Sequence, residues 1–398
     1  MSSLAPKWPS ATLGDLCEIA IGRTPRRDSP EYWHGSLPWV TISDLNDGLV
    51  TETRECISSL GAVASGAPLL KAGTLLFSFK LTIGKMAVAG VDVFTNEAVA
   101  GLIPRNPSQV TTEYLRFALA AADVSQGSSH AVKGRTLNLP LLRAIRIPLP
   151  PLSDQNAIAV RLSQQLAAAA RMGAAAETLG GEMKALAEAH IRKTFESPAC
   201  SAAPATTIGD VASLVIDGPH VTPTYVDQGV PFVTVRNIAK RVIDLTETSF
   251  ITAEDHARFS SRGRADVGDI LYTKDGTLGI PCLVQEAHEF SFFVSVALIK
   301  LRRDLVDPRD VTYALDSPSV RSQVGTLAAG AGLKHMVLKS IRSLSIPFPS
   351  LETQRLLVAE LSDRLRRTHA LAEVIGEQAA LGAQLPPALL RHAFSGGL

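Results

Sequence analysis

Two long segments of the chain carry apolar residues at alternating spacings of four and three, the pattern of a helix face that pairs with a second helix. Eight of ten stripe positions are apolar in the first segment and six of ten in the second. The pattern predicts two long helices that pair as an antiparallel coiled coil. An alternative interpretation is that each helix lies on its own globule. The seam positions are Ile158, Leu162, Met172 and Leu179 in the first helix, and Leu357, Leu361, Leu371 and Ile375 in the second.

Breakers lie late in both helical segments. Gly180-Gly181 and Pro386-Pro387 are expected to bend or break the helices there. Proline also marks where the helices begin, at Pro148–Pro151 and at Pro347–Pro349, because proline tolerates the first turn of a helix but not its interior.

The residues ahead of each long helix show a different pattern. Short β-branched or aromatic runs, bounded by Gly, Pro, Asn and Asp, predict strands of a mixed α/β (α+β) globule. The sequence therefore predicts globules over 1–150 and 201–349, with helices over 151–200 and 350–398. The predicted strands include Pro38–Ile42, Thr74–Phe79, Pro231–Val235 and Ile270–Tyr272, with Ser291–Leu301 as a buried strand.

The chain also repeats itself at a nearly constant offset, which indicates a tandem duplication. Two matched units in one chain can imitate a dimer with an approximate two-fold axis. The matches are Thr12–Leu16 with Thr207–Val211 (offset 195), Leu37–Thr41 with Val230–Thr234 (193), Ala72–Phe77 with Val267–Tyr272 (195), and Ile147–Gln155 with Ile346–Gln354 (199).

Composition and charge narrow the class of protein. The hydrophobic fraction is 46% and the charged fraction 19%, which excludes a disordered chain. Lys plus Arg is 39 and Asp plus Glu is 38, so the net charge of +1 excludes a polybasic nucleic-acid binder. No apolar run approaches the ~18–20 residues of a membrane helix, and the first residues lack a signal-peptide pattern, so a cytoplasmic protein is expected.

Catalytic and metal-binding motifs are missing from the sequence. It contains no phosphate-binding glycine loop, nucleophile elbow or zinc-protease helix, and its four cysteines are scattered singly. What remains is a duplicated binding architecture on a rigid spacer. Duplex DNA is a ligand with matching approximate symmetry, because paired modules bind half-sites about 34–36 Å apart.

The sequence resembles the specificity subunits of type I restriction–modification enzymes. Each half opens with Leu/Ile-Gly-Asp-Leu/Val, continues through Pro-Trp/Phe-Val-Thr and a glycine-led strand, and closes its globule with Ile-Pro-x-Pro-x-Leu-x-x-Gln. These motifs lie at Leu13–Leu16 and Ile208–Val211, Pro38–Thr41 and Pro231–Thr234, Gly73 and Gly268, and Ile147–Gln155 and Ile346–Gln354.

The resemblance implies that each globule is a target-recognition domain and each long helix a spacer. Such a subunit has no catalytic centre and binds no cofactor. It reads a bipartite, asymmetric target in double-stranded DNA and recruits two modification subunits, which methylate adenine N6 with S-adenosylmethionine. The full assembly adds two restriction subunits that use ATP, with Mg²⁺ also expected on the partner subunits.

Neither predicted recognition domain is basic overall. Residues 1–150 hold 14 basic and 12 acidic side chains, and residues 201–349 hold 15 and 16. DNA contacts are therefore expected from local cations in glycine-rich loops, where Arg or Asn can read base edges and Lys can bind phosphate. His220, His335 and Ser128–His130 are weaker candidates. The main candidates are Arg23, Arg26, Arg27, Lys80, Lys85, Lys133 and Arg135 in the first half, and Arg236, Asn237, Lys274 and Lys334 in the second.

Two alternatives stay open at this stage. One is a self-contained DNA methyltransferase or nuclease whose catalytic residues are too dispersed to form a motif. The other is a coiled-coil adaptor whose globules bind peptides. Turnover by the chain alone would favour the first, and binding without preference for duplex DNA would favour the second.

Overall fold

The computed structural model describes residues 8–122, 129–131, 134–329 and 335–394. It divides into two compact units. The first contains residues 1–176 together with 377–398, and the second contains residues 177–376. Each unit thus combines one globule with parts of both long helices.

The first repeat is a mixed α/β globule followed by a long helix. Short 3₁₀ turns also lie at Pro30–Tyr32 and Ile42–Asp44. Its strands are β1 Ser10–Thr12, β2 Cys17–Ile21, β3 Trp33–Val40, β4 Leu49–Val50, β5 Glu55–Ile57, β6 Leu75–Ser78, β7 Lys80–Leu81, β8 Met86–Ala89, β9 Phe94–Thr95, β10 Val99–Pro104, β11 Ser129–Ala131, β12 Gly134–Thr136 and β13 Arg146–Pro148. Its helices are α1 Leu13–Leu16, α2 Ser59–Ser65, α3 Thr112–Ala121, α4 Leu139–Ala144 and α5 Leu152–Phe195.

The second repeat follows the same plan. Its strands are β14 Ala205–Thr207, β15 Ala212–Asp217, β16 Tyr225–Val226, β17 Val230–Val233, β18 Ser249–Ile251, β19 Ile270–Thr273, β20 Pro281–Leu283, β21 Ser291–Phe292, β22 Val296–Leu301 and β23 Ser345–Pro347. Its helices are α6 Pro198–Ser201, α7 Ile208–Val211, α8 Val235–Ile238, α9 Ala253–Ser260, α10 Pro308–Leu315, α11 Pro318–Ala329, α12 Leu338–Arg342 and α13 Leu351–Phe394.

Each globule is built around one central sheet, ordered β2-β10-β6-β8-β4 in the first unit and β15-β22-β19-β20 in the second. Both sheets are buried on two faces. In β6, Leu75 and Phe77 lie in one core cluster and Leu76 lies in another. In β19, Ile270 and Tyr272 likewise lie in one cluster and Leu271 in another. Burial on both faces explains why these strands are continuous apolar runs rather than alternating ones.

A second, smaller sheet in each globule pairs a short strand in parallel with the strand that carries the Pro-Trp/Phe-Val motif. In the first unit β9 pairs with β3, and in the second β21 pairs with β17. The segment Ser291–Leu301 is therefore not the single strand predicted from the sequence. It contains β21 and β22, which belong to different sheets, because the chain changes direction between Phe292 and Val296.

Local chemistry explains why the repeated motifs recur. Thr12 and Asp15 form a reciprocal capping box that starts α1, and Thr207 with Asp210 does the same for α7. The glycine of each strand motif has a positive φ, +87° at Gly73 and +89° at Gly268, which favours glycine. The internal repeat predicted from the sequence is confirmed.

The glutamine of the proline-rich motif is buried and joins each long helix to its globule. Gln155 Oε1 accepts a hydrogen bond from the Thr111 amide (3.1 Å), and its Nε2 donates to the carbonyls of Gln109 (2.8 Å) and Pro150 (3.0 Å). Gln354 makes the equivalent bonds in the second unit, with the Asp307 amide at 2.9 Å. The motif therefore fixes where each long helix leaves its globule.

The two long helices have 44 residues each, or about 66 Å at ~1.5 Å per residue. The predicted breaks are absent, because neither breaker interrupts its helix. Gly180-Gly181 lies within α5 and Pro386-Pro387 within α13. An interior proline costs about 3 kcal/mol. Packing of the last turn of α13 offsets that cost, since Ala393 is buried in the core of the first unit.

Within each unit, the start of one long helix packs in the same core as the end of the other. In the first unit Ile158 and Leu162 share a cluster with Ala393, and in the second Leu361 shares one with Ile191. This is the contact pattern of antiparallel helices. The predicted fold class, a mixed α/β internal repeat with two long antiparallel helices, is confirmed.

The predicted seam is only partly buried. Ile158, Leu162 and Leu361 lie in the cores, where they pack on globule residues as well as on the other helix. Leu357 and Ile375 are half-buried.

Farther along the helices the seam residues are exposed, by 58% at Met172, 44% at Leu179 and 56% at Leu371. The prediction of a continuous seam is wrong at these three positions. Near the helix starts both interpretations apply, because the buried seam residues pack on the globule and on the other long helix.

In the described residues no helix combines the length and the apolar character that crossing a membrane would require.

Candidate nucleic-acid interface

A basic loop follows β2 in the first globule. Two indole groups hold its backbone: Trp39 Nε1 donates to the Arg23 carbonyl (3.3 Å), and Trp33 Nε1 donates to the Arg26 carbonyl (3.0 Å). The side chains of Arg23 and Arg26 remain exposed, and Arg26 pairs with Asp28 at 3.2 Å. The loop therefore presents cations to solvent from a fixed backbone.

Arg27, in the same loop, has a fixed side chain. Its guanidinium lies 3.9 Å from the Trp33 ring centroid and 4.9 Å from that of Trp39, and it forms a bidentate pair with Glu55. The hydrogen bond between them raises the pKa of Arg27 and lowers that of Glu55. Arg27 is thus partly neutralised and orders the loop, which leaves Arg23 and Arg26 as its freer cations.

A hairpin turn after β6 carries two further candidates. Gly84 has a φ of +92°, and its amide donates to the Ser78 carbonyl (2.9 Å), which closes the turn. Lys85 is exposed, whereas Lys80 is half-buried with its Nζ 5.3 Å from the Phe79 ring centroid.

A small sheet, ordered β11-β12-β7, brings Arg135 next to this turn. The backbone of Arg135 in β12 pairs with that of Leu81 in β7. Its side chain is outside the described parts of the structure, and Lys133 lies outside the described residues altogether. The backbone positions of Lys80 and Arg135, two predicted candidates, therefore lie close together.

In the second globule the candidates are less favourable. Arg236 is exposed on α8, and Lys334 lies outside the described residues. Asn237 is buried: its Oδ1 accepts from the amide and hydroxyl of Thr234, and its Nδ2 donates to the Asp244 carbonyl (2.9 Å). Its side chain caps α8, so the prediction that Asn237 binds DNA is wrong for this structure.

Lys274 is also buried, with only 2% of its side chain exposed. Its Nζ lies 3.4 Å from Asp217 Oδ2 and 3.7 Å from Asp275 Oδ2. At an offset of 195 its counterpart in the first repeat is Phe79, which is equally buried. A charge enclosed in this way cannot reach a DNA backbone, so the prediction of a DNA contact for Lys274 is wrong.

The carboxylate beside Lys274 is the centre of a cluster that contains two sequence-predicted candidates, Lys274 and His220. Asp217 Oδ2 lies 3.3 Å from His220 Nε2, and Asp217 Oδ1 lies 3.8 Å from Arg262 Nη2. These groups border a cleft of about 370 Å³ between the end of β15 and helix α9, whose wall includes Arg258 and Phe259.

Arg258 and Arg262 were missed because α9 was not predicted as a helix. Their i, i+4 spacing at the end of a short amphipathic segment was the available signal. His335, a weaker candidate, is half-buried, and a hydrogen bond joins its Nδ1 to Asp275 Oδ1.

Among the described residues, no group of three or more His, Cys, Asp or Glu side chains is placed to hold a metal ion. The arrangement is instead one set of cations in each globule. The first set lies in loops, and the second comprises Arg236 on α8 and the cleft residues Arg258 and Arg262. Such sets can bind phosphate or read base edges.

The comparisons with known proteins define a class. Residues 6–170 match the family model described as the type I restriction modification DNA specificity domain. This segment covers the first globule and the start of α5. The resemblance to specificity subunits seen in the sequence is confirmed.

Particular relatives belong to the same class. The chain is 29% identical over 167 residues to the type I restriction enzyme MjaIX specificity subunit of Methanocaldococcus jannaschii, an alignment that covers 39% of this chain and 37% of that protein. It is 24% identical over 135 residues to the HindI specificity subunit of Haemophilus influenzae, covering 34% of this chain and 29% of that one. The chain thus spans well under half the length of these relatives.

Solved structures share the fold over the whole chain. One, from a study of complex assembly and conformational transition of the type I R-M system, superposes with a TM-score of 0.79 at 18% identity and covers 100% of both chains. The HsdS subunit of Thermoanaerobacter tengcongensis gives a TM-score of 0.60 at 18% identity and covers 100% of this chain and 99% of that one.

Proposed function

We propose that the chain is a non-catalytic DNA-recognition subunit of a type I restriction–modification complex. It reads a bipartite, asymmetric target in double-stranded DNA, with one half of the target assigned to each globule. Residues 1–150 and 201–349 act as the recognition domains, and 151–200 and 350–398 act as the spacer helices. It works in the cytoplasm, where its DNA target lies.

The observation that carries the proposal is one fold repeated with two different surfaces. The repeats share the central sheet, the capping boxes and the buried glutamine. They differ where side chains face solvent, since the basic loop after β2 is replaced after β15 by a loop without arginine. Conserved scaffolding with divergent loops is what an asymmetric split target requires, because function resides in loops on a rigid scaffold.

The relatives give the proposal its biochemical setting. Both named relatives are specificity subunits of type I restriction enzymes. By analogy, two modification subunits bind this chain and supply S-adenosylmethionine-dependent methylation of adenine N6. Restriction subunits that use ATP and Mg²⁺ complete the assembly.

In the first globule the exposed cations Arg23, Arg26 and Lys85 are the proposed DNA contacts, and Arg27 orders the loop that carries two of them. Arg236 is the proposed contact retained from the sequence for the second globule. Neutralising any one phosphate contact should lower the affinity for all sequences alike. It should also reduce the slope of log affinity against log salt concentration by about one.

Reconstitution tests the proposal. The full chain is co-expressed with the modification subunits from the same genome, and the purified complex is incubated with duplex DNA and labelled S-adenosylmethionine. We expect methyl transfer to a split sequence by the complex and none by the modification subunits alone. Methyl transfer or DNA cleavage by the chain alone would show it to be an enzyme, and binding without any preference for duplex DNA would favour the adaptor.

A further inference from the structure

We infer that Arg262 reads a base edge in the half of the target assigned to the second globule, and that Asp217 is the positioning residue for its guanidinium. This inference rests on the proposed function. No motif and no run of charged residues in the sequence indicates Arg262 as a specificity-determining side chain.

The equivalent place in the first repeat points to this cleft. The loops after β2 and β15 start at Gly22 and Gly218, where a β-carbon would lie only 2.1 Å from the carbonyl oxygens of Thr95 and Phe292, respectively. Only glycine fits at these two positions, because a β-carbon would clash with a backbone carbonyl. The two loops therefore leave their central sheets at the same point of the fold.

A helix borders each loop, and an arginine lies between loop and helix in both repeats. In the first repeat the arginine comes from the loop: Arg23 Nη1 lies 3.1 Å from the position of a β-carbon on Gly66, at the end of α2. In the second it comes from beyond the end of α9, and Arg262 reaches back to Asp217 at the end of β15. In each repeat, therefore, a guanidinium lies between the loop that leaves the central sheet and the helix that borders this loop.

Arg262 combines exposure with orientation. Its side chain is 55% exposed, so one edge of the guanidinium is open to a ligand, while Nη2 faces a carboxylate that is only 9% exposed. The contact with Asp217 is a single ion-pair distance of 3.8 Å at Nη2, so the other donors of the planar guanidinium stay available, and a pair of them matches O6 and N7 of guanine. A lysine ammonium at this position would keep the charge and lose the paired geometry.

Asp217 is itself held in place from behind by a buried charge. Lys274 faces it at 3.4 Å, at the position where the first repeat has the apolar Phe79. Replacing a buried ion pair by apolar residues is often neutral or stabilising, so stability alone does not explain its presence. A fixed carboxylate that orients His220 and Arg262 gives the pair a role in recognition.

The test is selection from a library of randomised duplex DNA, using the full chain with its modification subunits. Retained duplexes are sequenced for the wild type and for the Arg262→Lys, Asp217→Asn and Arg264→Lys variants. Arg264 is the matched control, since it is an exposed arginine two residues away that does not border the cleft.

We expect Arg262→Lys to lower the preference for one base pair of one half-site by roughly tenfold, because the bidentate contact is lost. The other half-site should be unchanged. Asp217→Asn should relax the same base pair, and Arg264→Lys should preserve the whole motif. If Asp217→Asn does not fold, the double variant D217N/K274M removes both buried charges and should show the same relaxed base pair.

Different failures are distinguishable in this experiment. An Arg262→Lys motif that stays unchanged, or that weakens uniformly at all positions as loss of a phosphate contact would, overturns the inference about Arg262. A change in melting temperature for Asp217→Asn with an intact motif limits Asp217 to a structural role and overturns its positioning role. Absence of any selected motif for the wild type contradicts the proposed function itself.

Discussion

The buried glutamine at the start of α5 offers a quantitative test of how the long helix is joined to its globule. Gln155→Met keeps the size of the side chain and removes its hydrogen-bonding groups. Three backbone partners then lose their bonds: the Thr111 amide and the carbonyls of Gln109 and Pro150. Gln109 is exposed, so water can replace its bond, whereas Thr111 and Pro150 are half-buried and buried. An unsatisfied buried group costs about 1–3 kcal/mol, so the variant should lose about 3 kcal/mol.

For a unit of this size that loss corresponds to a fall in melting temperature of roughly 6–12 °C. The assay is thermal and urea unfolding of the full chain, followed by circular dichroism. Gln164→Met is the matched control, because Gln164 is exposed on the same helix. A loss for Gln155→Met no larger than the control's would refute the view that this amide anchors the helix.

Two further predictions test other parts of the structure. Leu361→Asp should destabilise the chain by several kcal/mol, because the position is 1% exposed, whereas Leu371→Asp at an exposed position of the same stripe should change stability little; equal effects in urea unfolding would contradict the observed burial. Burial raises the pKa of Asp310 to about 7, and the negative charge of Asp307 adds to the effect. The unfolded chain therefore loses this proton before the folded one, and stability should fall as pH rises from about 4 to about 7, by up to about 4 kcal/mol. Asp310→Asn should remove that fall, so its stability relative to wild type should rise between pH 4 and pH 8; a difference that does not depend on pH would contradict the shift.

Much of the fold was predictable because it depends on local patterns that occur twice. The capping boxes, the glycine at the start of β6 and β19 and the proline-rich junctions each set backbone geometry within a few residues. The continuity of α5 and α13 was not predictable, because tertiary packing overrides the intrinsic cost of glycine and proline. The break between Phe292 and Val296 was also hidden, since the strands on both sides of it are buried.

The candidate interface was less predictable, because charge in a sequence carries no information on burial. Arg23 and Arg26 are exposed as expected, but Lys274 sits where its counterpart is Phe79, and only the fold shows that this position is inside. Asn237 looked like a base reader and is a helix cap. Arg262 lies between an unpredicted helix and a distant strand, so its relation to Asp217 required the tertiary structure.

The most direct test of the central claim is single-molecule sequencing of methylated adenines in a genome whose only specificity subunit is a hybrid of this chain. In the hybrid, residues 1–150 are exchanged for the corresponding domain of another subunit. We predict a split motif in which one half changes while the other half and the gap between them stay the same as with the original chain. A motif that changes in both halves, or methylation that is unaffected by the exchange, would contradict the assignment of one half-site to each globule.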